Sequence, residues 1–191
     1  MHIPTDDEIR ALHERLAPNP AAFDLVYTHC RIVARIAALL PATDADPALV
    51  RAGCLLHDLG VYRLAPGEAY IRHGLLGHEI LAGLGFADTV ARFCSHHTGV
   101  GLSRADIAAQ ALPLPPGDYL AETPEERLVM YADKFHSKSS PPRFLTAAAY
   151  TAAAARFGEH QAAAFKAMVA QYGEPDLAPL AAEYGHLIVA A

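Results

Sequence analysis

The strongest constraint on this chain is a series of helix-start signals spread along its whole length. Three times an N-capping residue is followed directly by proline: Asn19-Pro20, Asp46-Pro47 and Thr123-Pro124. The capping side chain accepts a hydrogen bond from an otherwise orphaned backbone N–H. Proline in the next position already has the helical φ and no N–H to lose. Thr5 with Glu8, and Thr123 with Glu126, also have the capping-box spacing, and Ser103 with Asp106 opens a further short helix. Between these signals the chain holds 39 alanines against 17 valines and isoleucines together, and nowhere alternates polar and apolar residues for long. Alanine favours helix and β-branched residues favour strands, so the expected fold class is all-α.

The expected helices run from about 5 to 16, 19 to 40, 46 to a stop at Gly60, 74 to 84, 87 to 97, a short one from 103, 123 to 138, and 177 to 188. The alanine-rich stretch from Phe144 to about Tyr172 reads as one bent helix or two, with Tyr150, Phe157, Phe165, Met168 and Tyr172 as its packing face. Residues 111–123 hold Pro113, Pro115, Pro116 and Gly117 and read as the one long irregular loop. At 191 residues the chain is expected to form a single domain, 1–191, large enough to bury a core without staples.

Charge narrows the partners. The net charge is −6 and no run of Lys or Arg occurs, which disfavours a long nucleic acid. No apolar stretch approaches the ~20 residues of a membrane span, so no membrane partner is expected. The acidic start, His2 to Glu8, does not read as a signal peptide, and Cys30, Cys54 and Cys94 are an odd number without a CxxC pair. Both points lead to an expected cytoplasmic location.

Histidine is abundant, at 11 residues. His29 falls on the apolar face made by Leu25, Ile32, Val33 and Ile36. His57 and Asp58 end the apolar run Ala52-Gly53-Cys54-Leu55-Leu56, and Asp133 ends the run Leu128 to Ala132. A carboxylate at the end of a buried run is costly unless it is paired or metal-bound. Near a helix terminus two adjacent side chains can face one cavity. His29, His57, Asp58 and Asp133 thus make two imidazoles and two carboxylates. That set suits a divalent transition ion (Fe, Mn, Co or Ni), with Mg or Zn also compatible.

These segments resemble the HD-domain metal-dependent phosphohydrolase superfamily. Leu55-Leu56-His57-Asp58-Leu59-Gly60 is similar to its defining segment. His73-Gly74-Leu75-Leu76-Gly77-His78-Glu79-Ile80-Leu81 resembles its His-x-x-x-Gly-x-x-Ile-Leu segment. His96-His97-Thr98-Gly99 resembles the next histidine segment, and Tyr131-Ala132-Asp133-Lys134 the closing one. The resemblance covers a motif core of about 24–138, between an N-terminal helix at 5–16 and a helical extension at about 143–189. It implies a helical bundle holding one or two divalent ions. In the two-metal type Asp58 bridges, and His73 and His97 bind the second ion.

Arg72, Lys134 and Lys138 lie near the ligands in sequence and are candidates to hold phosphate or assist the leaving oxygen, so the expected catalytic group is His57, Asp58, Arg72 and Lys134. His96 is a candidate for substrate contact. Thr98 begins a Thr-Gly-Val-Gly stretch that either offers N–H groups to phosphate or simply ends a helix. Some family members carry a basic residue directly after the segment's glycine. Val61 stands there instead, with Arg63 two positions later as the substrate-binding candidate. The expected function is hydrolysis of a phosphate ester of a small phosphorylated molecule, a nucleotide first. The alternatives are a di-iron oxygenase cleaving a C–C or C–P bond on the same ligands, and a non-catalytic nucleotide sensor. A homo-oligomer is compatible with all three.

Overall fold

The computed structural model describes residues 2–41 and 44–190. The described residues form helices α1 (Asp6–Leu16), α2 (Pro20–Leu39), α3 (Pro47–Leu56), α4 (His73–Gly83), α5 (Asp88–Ser95), α6 (Arg104–Ala109) and α7 (Pro124–Asp133). Strands β1 (His136–Ser137) and β2 (Arg143–Leu145) follow, then α8 (Ala147–Ala154), α9 (Glu159–Tyr172), α10 (Ala178–Tyr184) and β3 (Leu187–Val189). Single-turn 3-10 segments at Leu59–Arg63 and Tyr70–Arg72 link α3 to α4.

The start signals act as chemistry requires. The side chains of Thr5, Asn19, Asp46, Ser103 and Thr123 each accept a backbone N–H of the helix that follows. The helix ends depart further from expectation. α7 stops at Asp133 rather than near Lys138. The chain then turns through Pro141-Pro142, and β2 pairs antiparallel with β1 and parallel with β3. The expected helix 177–188 ends at Gly185, which adopts the left-handed conformation at φ 67°. Strands of two or three residues are too short to show alternation, so only their partners reveal them.

Gly60 does not stop a helix; α3 already ends at Leu56. Gly60 is instead a contact residue. A Cβ there would lie 1.9 Å from the His73 carbonyl oxygen and 2.4 Å from the Gly77 nitrogen. Only a bare Cα lets the segment after His57-Asp58 press against the start of α4. That contact brings the His-Asp pair beside His73.

Two apolar clusters hold the helices. One joins α1, α2, α3, α4 and α5 through Ile9, Val26, Leu55, Leu56, Leu81 and Cys94. The other joins α2, α3 and α7 to the C-terminal segments through Ile36, Leu128, Tyr131, Phe135, Phe144 and Phe165. Phe165 of α9 is fully buried, with ring centroids of Tyr131, Phe135 and Tyr150 at 4.6–6.1 Å. Tyr150, Phe165, Met168 and Tyr172 therefore anchor the alanine-rich stretch to the motif helices, whereas Phe157, expected on the same face, is exposed.

Candidate metal centre

Six predicted ligands arrive from five places in the chain. His29 sits within α2, His57 and Asp58 follow the last turn of α3, and His73 opens α4. His97 lies just past α5, and Asp133 is the last residue of α7. All four histidines and Asp58 are buried. They fall into two groups that meet at Asp58. Its Oδ2 is 3.2 Å from His29 Nε2 and 3.4 Å from His57 Nε2. Its Oδ1 is 3.4 Å from His73 Nε2 and 3.8 Å from His97 Nε2. Asp133 Oδ1 completes the first group, 3.0 Å from His29 Nε2 and 3.4 Å from His57 Nε2. Donors held ~2.1 Å from one ion at angles of about 90–109° stand roughly 3.0–3.4 Å apart, which matches every one of these spacings except the wider one at His97.

Tautomers explain why a cation belongs here. His73 Nδ1 faces the Tyr70 carbonyl at 2.6 Å, and His97 Nδ1 faces the Phe93 carbonyl at 3.0 Å. A carbonyl only accepts, so both imidazoles carry their proton on Nδ1. Burial holds His73 below the ordinary imidazole range, and burial together with His57 and His73 holds His97 well below it, so both are neutral. Their Nε2 lone pairs then face each other at 3.0 Å. Asp58 Oδ1, buried beside them, has no hydrogen-bond partner. Two lone pairs and an orphaned carboxylate oxygen converging in a buried spot repel one another unless a cation lies among them.

The first group compensates with a proton. Burial pulls His57 down, but the Asp58 carboxylate together with Cys30 and Asp133 outweighs it and holds His57 well above the imidazole range. Burial likewise pushes Asp58 and Asp133 up. For Asp58 this is overcome by Lys138 and His57, and for Asp133 by Lys134 and the two histidines, so both remain carboxylates.

The predicted cations divide. Lys138 Nζ donates to Asp58 Oδ2. Lys134 Nζ donates to Asp133 Oδ2 at 2.7 Å and to the His97 carbonyl at 2.8 Å. Neither lysine is part of a solvated stripe: their side chains are 5% and 14% exposed, for Lys134 and Lys138 respectively. Both line a cavity of about 190 Å³ together with Asp58, Tyr70, His73, His97, Thr98 and Asp133. They also line a neighbouring cavity of about 440 Å³, with Leu25, His136 and Tyr150 on its wall.

Arg63 and Arg72 line neither cavity. Arg63 is exposed, and Arg72 pairs with Glu68 at 2.9 Å. His96 points elsewhere too: its Nδ1 shares Ser95 Oγ at 2.7 Å, and Ser95 also meets His78 at 3.0 Å.

Sequence reading overlooked His136. It is buried, and its Nδ1 lies 2.8 Å from Nδ1 of His29. The available signal was its place three residues after Asp133. Two further histidines, His13 and His186, stand in polar or terminal sequence contexts that suit solvation, yet the structure draws both inward. His13 is buried between the Leu55 carbonyl and the Tyr62 hydroxyl, each at 2.8 Å. His186 is half-buried and stacks on His136. The three cysteines are buried and unpaired.

A family model for the HD domain matches residues 26–138, more than half of the chain. The chain belongs to the HD-domain family. An uncharacterized protein of Methanocaldococcus jannaschii is 40% identical over 114 residues, covering 56% of this chain and 64% of that protein. A tRNA (cytidine(56)-2'-O)-methyltransferase of Picrophilus torridus is 37% identical over 117 residues, covering 61% of this chain but 33% of the methyltransferase. The chain thus spans less than two thirds of either relative. The HD domain of the Listeria monocytogenes phosphodiesterase PgpH, solved with cyclic-di-AMP, has a similar fold: 18% identity, a TM-score of 0.50, and coverage of 92% of this chain and 96% of that one. Among the described residues no helix is long and apolar enough to cross a membrane.

Proposed function

We propose that this HD-domain chain is a metal-dependent phosphohydrolase cleaving a phosphate ester of a small molecule, with a nucleotide as the favoured class. The observation that carries this reading is Asp58. It stands between two pairs of inward-facing histidines, with one buried and one half-buried ammonium group at the rim of the same cavity.

His29, His57, Asp58 and Asp133 would hold one divalent ion, and Asp58, His73 and His97 a second. Bound there, divalent ions supply a water acidified toward neutral pH and positive charge for phosphoryl oxygens. The protein supplies the rest. Lys134 and Lys138 are held above the ordinary lysine range, because the carboxylates of Asp133 and Asp58 outweigh the effect of burial. They stay charged at neutral pH, and so serve as fixed cations for a phosphoryl or leaving oxygen rather than as proton donors. Each has an N–H to turn from its carboxylate toward substrate. Thr98 borders the same cavity, and Tyr70 lines both it and the larger one.

Phosphate release from nucleoside and sugar phosphates, measured without oxygen on Mn-loaded protein, tests the reading. Release is expected. No release from any of them, together with oxygen uptake by the iron-loaded protein, would replace hydrolysis with oxidative cleavage.

A further inference from the structure

The ligand histidines differ in what holds their outer nitrogen. His57 Nδ1 faces the Cys54 carbonyl at 2.7 Å, and His73 and His97 likewise face backbone carbonyls. His29 meets no carbonyl there but a second imidazole, His136, which in turn places its Nε2 3.0 Å from Nδ1 of His186. A carbonyl fixes a tautomer by itself. A histidine does not, because either of its nitrogens can carry the proton.

We propose that His136 and His186 are positioning residues that fix the inward lone pair of His29 and couple metal loading to the docking of β3. This rests on the reading that the buried cluster holds a divalent ion.

The proton count runs in one direction. With His29 Nε2 given to a cation, its single proton sits on Nδ1 and donates to His136 Nδ1. His136 must then carry its own proton on Nε2 and donate it to His186 Nδ1, leaving the His186 proton on its outer nitrogen. Every ring stays neutral and every contact has one proton. Without the cation, His29 is free to carry its proton on Nε2 toward Asp133, and the order can reverse or break.

The chain of rings also crosses the small sheet. His136 lies in β1 opposite Phe144 of β2, and His186 immediately precedes β3, which pairs with β2 at Phe144↔Ile188. The His136 and His186 rings stack at 5.2 Å, and the Phe144 ring packs against His136 at 4.9 Å. β3 is an edge strand of three residues with Leu187 and Ile188 exposed, so few other side-chain contacts hold it. By reciprocity, an ion that orders the histidine chain steadies β3, and loss of the chain weakens the ion.

The test uses the full chain with Mn(II) as the probe, read by titration calorimetry and by hydrogen exchange. Wild type should bind Mn and show slower amide exchange at residues 186–189 when loaded. His136→Phe keeps the ring but removes both hydrogen bonds. It should bind Mn about 10–100-fold more weakly, the usual effect of removing a ligand's outer partner, and lose the Mn-dependent protection of β3. His136→Gln, which can still accept from His29 and donate to His186, should recover most of the affinity.

His186→Ala alters only a half-buried residue far from the ion and serves if His136→Phe fails to fold. It too should lose the Mn-dependent protection. Wild-type Mn affinity in His136→Phe, or an Mn-dependent exchange difference at β3 that is absent from wild type or unchanged in His186→Ala, overturns the proposal while leaving the metal reading intact. A wild-type chain that binds no Mn overturns both.

Discussion

His73 and His97 meet lone pair to lone pair, with their Nε2 atoms 3.0 Å apart and both Nδ1 protons committed to backbone carbonyls. Replacing either by alanine removes half of that pair but leaves His29, His57 and Asp133 untouched. Mn stoichiometry, measured by calorimetry, should fall from two toward one. A wild-type stoichiometry of one would assign His73 and His97 to substrate or to positioning instead.

Asp58→Ala should be the most damaging single change at the centre. Its two oxygens face different histidine pairs, so one substitution removes a donor from both groups. Turnover should fall at least ~100-fold and Mn binding should weaken at both sites, while far-ultraviolet circular dichroism keeps its helical signal. Near-wild-type turnover with full metal would remove the bridging role.

Lys138→Met separates substrate binding from metal binding. Lys138 occupies Asp58 Oδ2 and lines the cavity. Its loss should lower kcat/KM by about 10²–10³, the scale for one charged group that stabilises a transition state. Mn affinity should hold or rise, because a competing cation has left the carboxylate. A parallel loss of Mn affinity would make Lys138 a structural support.

His13 should contribute to acid instability. Burial pushes it down to about 4 from its ordinary 6.5. Between those values the unfolded chain binds the extra proton and the folded chain does not. Its contribution is therefore complete above about pH 6.5 and is lost as pH falls toward 4. The linked free energy is up to about 3 kcal/mol. Urea unfolding of metal-free protein at pH 7, 5.5 and 4 should show a shallower pH dependence in His13→Gln than in wild type. Equal slopes would argue against the buried neutral form.

Phe165→Ala should cost about 3–5 kcal/mol, the range for emptying a fully buried aromatic site. The loss should appear as one cooperative unfolding transition, since Phe165 packs on Tyr131 and Phe135 next to Lys134 of the centre. A separate early transition of the alanine-rich helices would show that they do not share the core of the motif helices.

The helical class, five helix starts and four of the six converging side chains (His29, His57, Asp58 and Asp133) were legible along the chain, while His73 and His97 came from the family resemblance. Capping and periodicity act within a few residues, and a buried-context histidine or aspartate betrays itself by its immediate neighbours. Tertiary structure decided the rest. Lys134 and Lys138 reach the cavity and Arg63 and Arg72 do not, because α7 ends at Asp133 and the chain then turns into β1, a turn set by pairing with distant residues. Gly60 looked like a helix stop, yet its smallness serves a contact with His73 thirteen residues away. His13 and His186 gave no local sign of their roles, and His136 gave only its place three residues after Asp133. Burial and tautomer are fixed by whichever carbonyl, hydroxyl or ring packs against them, and in these three that partner lies 42 to 107 residues away.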